Sequence, residues 1–189
     1  MEPGWLLTKI REKEMNGKMT ASRLLEAIRG ADADARWSAA ENAADAGAEA
    51  IPELAQVMGG NDPEKAKAAR VAMERIALAS TAPGKEELRR SVSGALADVA
   101  RGDGALAARR QAVRLLGFAG GAEACDTLAA LIGQKDLRED ARMALQRIPG
   151  NAADRALEQA ARKAPAGYES ALRRSLRDRK ITRRDAGIR

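Results

Sequence analysis

Residues 69–76 read ARVAMERI, and 72 positions later residues 141–148 read ARMALQRI, with five of the eight positions identical. A phrase written twice at such a distance marks stacked units, none of which can bury its apolar face alone. Four segments share the start of this phrase: Asp34-Ala-Arg36, Ala68-Ala-Arg70, Ala107-Ala-Arg109 and Asp140-Ala-Arg142. Their marker arginines lie 34, 39 and 33 residues apart. Small or apolar residues follow each arginine: Ala39 and Ala43; Met73 and Ile76; Ala112, Leu115 and Leu116; Leu145 and Ile148. This is helical spacing, with one face turned toward a neighbour.

A break and a second helix follow each of these first helices. Gly47 precedes residues 48–58, Pro83-Gly84 precedes 85–100, Gly120-Gly121 precedes 122–132, and Pro149-Gly150 precedes 151–163. Glycine and proline are the expected punctuation at helix ends. The second helices carry apolar stripes too: Ile51, Leu54 and Met58; Leu88, Val92, Leu96 and Val99; Leu128, Leu131 and Ile132. A second echo joins units one and three, since AEAIPELAQVMG (48–59) precedes AEACDTLAALIG (122–133) by 74 residues. Each unit is therefore expected to be a helical hairpin. The ends read as caps. Residues 20–29 start at a Thr20 or Ser22 N-cap and group Leu24, Leu25 and Ile28. Residues 166–181 place Tyr168, Leu172 and Leu176 at i, i+4 and i+8, with the chain beyond Lys180 expected to fray. Residues 1–18, with mixed charge and Gly17, read as a loosely packed helix or a disordered arm. The division expected is an N-terminal arm and capping helix (1–30), repeats (31–164), and a C-terminal capping helix with a basic tail (165–189).

Composition agrees with an all-helical chain. Of 189 residues 43 are alanine, the best helix former, and only Trp5, Trp37, Phe118 and Tyr168 are aromatic, whereas sheets favour aromatic and β-branched residues. The length suits one extended domain.

With Asp34-Ala-Arg36 leading an alanine-rich helix and Ile51-Pro52-Glu53-Leu54 opening the second, the chain resembles the HEAT-like repeat family, in particular the short-repeat type of phycobilisome lyases. The resemblance covers about residues 31–164. Unit two departs from it in a longer second helix and a missing aspartate, and unit four lacks the Ile-Pro pair. It implies a right-handed α-solenoid of about four hairpins with capping helices, an armadillo-like helical architecture whose second helices line a concave face.

Several chemistries are excluded. There is no histidine, which removes serine–histidine and cysteine–histidine catalysis and the commonest zinc and iron ligand sets; the HEAT-type di-iron hydroxylases fall with them. No metal and no cofactor is expected. Cys125, the single cysteine, forms no intrachain disulfide, fits a reducing compartment, and takes the place of core residue Ile51 in unit one. Trp5-Leu6-Leu7 is followed at once by Lys9, Arg11, Glu12, Lys13 and Glu14, too short an apolar run for a signal peptide, and no stretch approaches a membrane span. A soluble, cytoplasmic protein with no membrane partner is expected.

Charge is uneven. Residues 137–189 hold 14 Arg and Lys against 7 acids, whereas residues 1–136 hold 19 against 20, so the net +6 is a property of the C-terminal part. The run Arg173, Arg174, Arg177, Arg179, Lys180, Arg183, Arg184 and Arg189 is a candidate for contact with an anionic partner such as nucleic acid, by the phosphate backbone because aromatics for base stacking are scarce. Its alternative is a solvated capping helix. The marker arginines are better read as inter-unit hydrogen-bond donors, with Asp34 and Asp140 as local partners. Trp37 is read as a partly buried packing residue, and Glu86-Glu87 and Glu139-Asp140 as acids at helix starts, where the dipole favours them.

A non-catalytic protein-protein interaction scaffold is the first functional expectation, its partner contacted on the second helices by Glu53, Gln56, Arg89, Arg90, Asp126, Arg155 and Arg162. Nucleic-acid binding comes second, through the basic C-terminal segment or a basic concavity resembling that of the helical-repeat DNA glycosylases. A neutral or acidic second-helix face would take the geometry away from such a cradle. A bilin-lyase-like accessory role is implied by the resemblance alone.

Overall fold

A computed structural model describes residues 18–165 and 167–185, with side chains described through residue 182. All but the last residue of the expected N-terminal arm (1–18), the tail end with Arg189, and the side chains of Arg183 and Arg184 lie outside the described residues.

The described residues form ten α-helices and no strand: α1 (Ala21–Arg29), α2 (Ala33–Glu41), α3 (Ile51–Met58), α4 (Pro63–Ser80), α5 (Glu86–Arg101), α6 (Leu106–Ala119), α7 (Cys125–Leu131), α8 (Arg138–Arg147), α9 (Asn151–Lys163) and α10 (Glu169–Asp185). Local chemistry sets their starts. Thr20 caps α1 by accepting from Arg23 N at 3.3 Å. Asp32 and Asp62 cap α2 and α4 by accepting two amides each, and Pro63 follows Asp62 at the first helical position, where a missing N–H costs nothing. Those amides hold the Asp62 carboxyl below its ordinary pKa.

The second echo becomes one local structure built twice. Ala48–Ala50 and Ala122–Ala124 are single 3-10 turns that lead directly into α3 and α7. Glu123 folds back so that its carboxylate accepts Gly121 N at 3.1 Å, and Glu49 lies over Gly47, where a Cβ would meet its carboxylate at 2.3 Å. Gly47 also needs its freedom for a φ of +80°. The first helix of unit one is shorter than expected: α2 stops at Glu41, and a 3-10 turn, Ala43–Asp45, carries Ala43 into the core.

Helices pack in two layers. In one, α2 contacts α4, α4 contacts α6, α6 contacts α8 and α8 contacts α10; in the other, α1, α3, α5, α7 and α9 touch in the same succession. Across the layers α3 lies on α4, α5 on α6, α7 on α8 and α9 on α10. A hydrophobic core runs continuously from Leu24 to Leu176. The expected apolar residues of the first helices, from Ala39 to Ile148, are all buried, as are Ile51, Leu54, Val92, Leu96, Leu128, Leu131 and Ile132. Alanine's small size permits the close spacing, and between α6 and α8 a glycine makes it closer still: a Cβ on Gly117 of α6 would lie 3.0 Å from the Ala144 Cα of α8.

The marker arginines act mostly between elements, with different partners than expected. Arg36, buried, donates to the carbonyls of Gly30 and Ala31, just past the end of α1. Arg109 donates to Ala100 O near the end of α5 and to Gln134. Arg142 joins Glu139, Gln146 and Ser175 of α10, whereas Arg70 pairs only with Glu74 of its own helix. Asp34 and Asp140 are not their acids. Asp32 is the cap in unit one, and Asp140 accepts from Arg114 of the preceding first helix and lies 3.6 Å from Arg110 in an ion pair, because at a helix start its side chain faces that neighbour. The chain past Lys180 does not fray at once, since α10 continues to Asp185.

Candidate functional site

Basic side chains in this fold go first to helix ends. Lys65 donates to Arg29 O at 2.8 Å and Arg89 to Ala119 O at 3.3 Å, placing positive charge on the orphan carbonyls of helix C-termini. Arg179 is the fullest case. It is 6% exposed, pairs with Asp154 at 2.6 Å, and donates to the carbonyls of Leu145, Gln146, Ile148 and Gly150 around the end of α8. Arg179 therefore does not belong to an exposed basic patch. The stripe Tyr168–Leu172–Leu176 continues one turn further onto it, so it faces the core: Leu172 and Leu176 are buried and Tyr168 packs against them.

With Arg179 removed, the remaining cations of α10 have a clear register. Arg173, Arg174, Arg177 and Lys180 are exposed. Arg173, Arg177 and Lys180, at i, i+4 and i+7, line a cleft of about 400 Å³ between α9 and α10, and Arg162 of α9 stands in the same cleft. Arg162 and the α10 run, which the sequence assigns to two separate surfaces, thus share one site. Ala161 and Leu176 contribute apolar lining and Glu158 is its acid. Arg173 is held by Glu169 at 2.6 Å. The signal available in the sequence was the register itself: positions 172, 176 and 179 face inward, so 173, 177 and 180 form the adjacent stripe.

The other expected contact residues lie along α3, α5, α7 and α9. Gln56, Arg90, Asp126, Arg155 and Arg162 are exposed. Glu53 and Arg89 are occupied within the chain, Glu53 by Arg29 at 2.7 Å and Arg89 by Glu123 at 3.4 Å. Gln56 lines a cleft of about 520 Å³ between α3, the end of α5 and the start of α6, together with Pro52, Ala55, Val99, Asp98 and Arg109.

Charge divides by layer. The helices α4, α6 and α8 carry ten Arg and Lys against four acids, while α3, α5, α7 and α9 carry six against seven. The positive charge is thus not confined to the C-terminal part in space, since α6 has three arginines and no acid. Much of the first-layer charge is engaged: Arg110 and Arg114 meet Asp140, and Arg147 lies 5.1 Å over the exposed Phe118 ring.

The shifted titrations belong to packing. Hydrogen bonding to Arg142 holds the Glu139 carboxyl below its ordinary pKa of 4.5, and burial pushes the Tyr168 phenol up; Tyr168 donates to Glu139 at 2.8 Å. Burial also raises the Cys125 thiol, which lies in the core as expected. Trp37 is half-buried, with Lys67 Nζ 5.3 Å from its ring centre. Among the described residues no group of three or more Cys, Asp and Glu is placed to hold a metal ion, and no helix is long and apolar enough to cross a membrane. No protein-family model matches the chain, and no curated protein matches it.

Proposed function

We propose that this chain is a non-catalytic binding scaffold: an α-solenoid of about four HEAT-like hairpins that holds another protein along the outward face of α3, α5, α7 and α9. The observation that carries this reading is the serial packing of helices in two layers, which leaves the second-helix layer an extended outward face. Three features of that face support a protein partner. Its charges nearly balance, its exposed residues Gln56, Arg90, Asp126 and Arg155 alternate in character, and the cleft at Gln56 offers apolar lining beside charged groups. Such a mixture of apolar anchor and polar rim suits protein recognition.

The same charge balance argues against a duplex cradle on this face, because phosphate binding draws on clustered cations. Phosphate contact through α10 is the second reading, favoured by its exposed arginines. A bilin-lyase-like role rests on the resemblance alone and is tested by mixing chain, bilin and acceptor subunit. The scaffold reading is tested by affinity capture at 0.5 M salt with the wild type and with a variant carrying Gln56→Ala, Arg90→Glu, Asp126→Arg and Arg155→Glu. One defined protein should be retained by the wild type and lost by the variant. Loss of all partners at moderate salt would defeat it.

A further inference from the structure

We infer that the cleft between α9 and α10 is a binding site for a short chain of phosphates, such as an inorganic oligophosphate or the phosphate tail of a nucleotide. Arg162 from one helix and Arg173, Arg177 and Lys180 from the other stand around a space of about 400 Å³ that holds a single acid, Glu158. Arg173 is also paired with Glu169 at 2.6 Å, so the four cations face two acids and leave the cleft net positive; an anion bearing several charges relieves that imbalance while guanidinium forks match its oxygens.

The site is held in shape from behind. Arg179 lies next to Lys180 in sequence but on the adjacent, buried stripe of α10, and its bonds to Asp154 of α9 and to four carbonyls around the end of α8 hold the helix against its neighbours. The helix that carries Arg173, Arg177 and Lys180 is therefore fixed against its neighbours before a ligand arrives, which lowers the cost of assembling the site. The size and surroundings of the cleft favour a compact ligand over a polymer. A nucleic-acid backbone needs a track of cations, but the adjoining helices α3, α5, α7 and α9 carry six Arg and Lys against seven acids, and no aromatic side chain lines the cleft to stack a base.

The site adjoins the face proposed for a protein partner at α9 but uses none of Gln56, Arg90, Asp126 and Arg155, and its test does not depend on such a partner. Full-length protein is titrated with inorganic tripolyphosphate, ATP and a single-stranded oligonucleotide, by calorimetry and by thermal shift. Tripolyphosphate should bind and raise the melting temperature, ATP should bind no more tightly than tripolyphosphate, and affinity should fall with salt. The double variant Arg162→Gln/Arg177→Gln should lose about tenfold or more in affinity, while Arg75→Gln, exposed on α4 and outside the cleft, should bind like the wild type. Glu158→Gln should bind more tightly, a gain that misfolding does not mimic. The inference is overturned if tripolyphosphate does not bind at millimolar concentration, if Arg75→Gln loses as much as the cleft variant, or if the oligonucleotide binds more tightly than tripolyphosphate.

Discussion

Arg179 illustrates how a single side chain joins three helices. Its guanidinium pairs with Asp154 on α9 and places its remaining donors on carbonyls that α8 leaves without partners at its end. Replacing it with methionine keeps the unbranched apolar stem and removes every donor, so Arg179→Met should destabilise by about 3 kcal/mol. Urea denaturation measures this, and hydrogen exchange should show α10 losing protection before α4. A stability within about 0.5 kcal/mol of the wild type would mean that the buried pair contributes nothing net. A second residue-scale consequence concerns acid. Glu139 has its folded pKa below the ordinary 4.5, so its stabilising contribution is fully present above that value and is lost as pH falls through the folded one. Urea midpoints should therefore drop as pH falls from about 6 to below 4, and Glu139→Gln should drop less over the same interval. Equal slopes for the two proteins would assign the acid sensitivity elsewhere. Burial of single residues was largely legible in the sequence, because apolar residues at helical spacing point to a core. The fate of Arg179 and the partners of Arg36 and Arg142 were not, since a charged side chain's partner depends on which helix ends lie nearby.

At the scale of elements, the contact between α6 and α8 is set by Gly117. A Cβ there would lie 3.0 Å from the Ala144 Cα, so the larger leucine must push the two helices apart or turn out of its preferred rotamers. Gly117→Leu should destabilise by about 2 kcal/mol; Gly94→Leu in α5, where a Cβ meets nothing within 4 Å, should not destabilise comparably. Calorimetric melting of both variants separates helix-interior propensity from close approach, and similar melting temperatures would contradict the packing role. Helix existence was legible from periodicity, alanine content and the Gly and Pro breaks. Less legible was the division of the second helices into a 3-10 turn and an α-helix, which the repeated Ala-Glu-Ala marks only once the carboxylate is seen folding over the preceding glycine. Nor did spacing reveal the break at Asn42, where the side-chain amide donates to Ser38 O at 2.8 Å as α2 ends.

For the whole molecule, serial packing makes a metric prediction. From α2 to α10 the first layer takes four steps between neighbouring helices, each about 8–10 Å. Spin labels on Ser38→Cys and Arg174→Cys, both exposed, with Cys125→Ala to remove the native thiol, should lie roughly 35 Å apart by pulsed electron resonance. A distribution centred below about 25 Å would indicate a closed bundle.

The sequence by itself determined that the chain is helical, where its helices begin and end to within a few residues, and which apolar side chains are hidden. Those properties follow from local propensity, capping and periodicity, which act over one or two turns. Only the tertiary structure decided which charges meet: that Arg179 pairs with Asp154, that Asp140 serves α6, and that Arg162 shares a cleft with α10. Electrostatic and hydrogen-bond partners are chosen by proximity across tens of residues of chain, and no spacing along the sequence encodes that proximity.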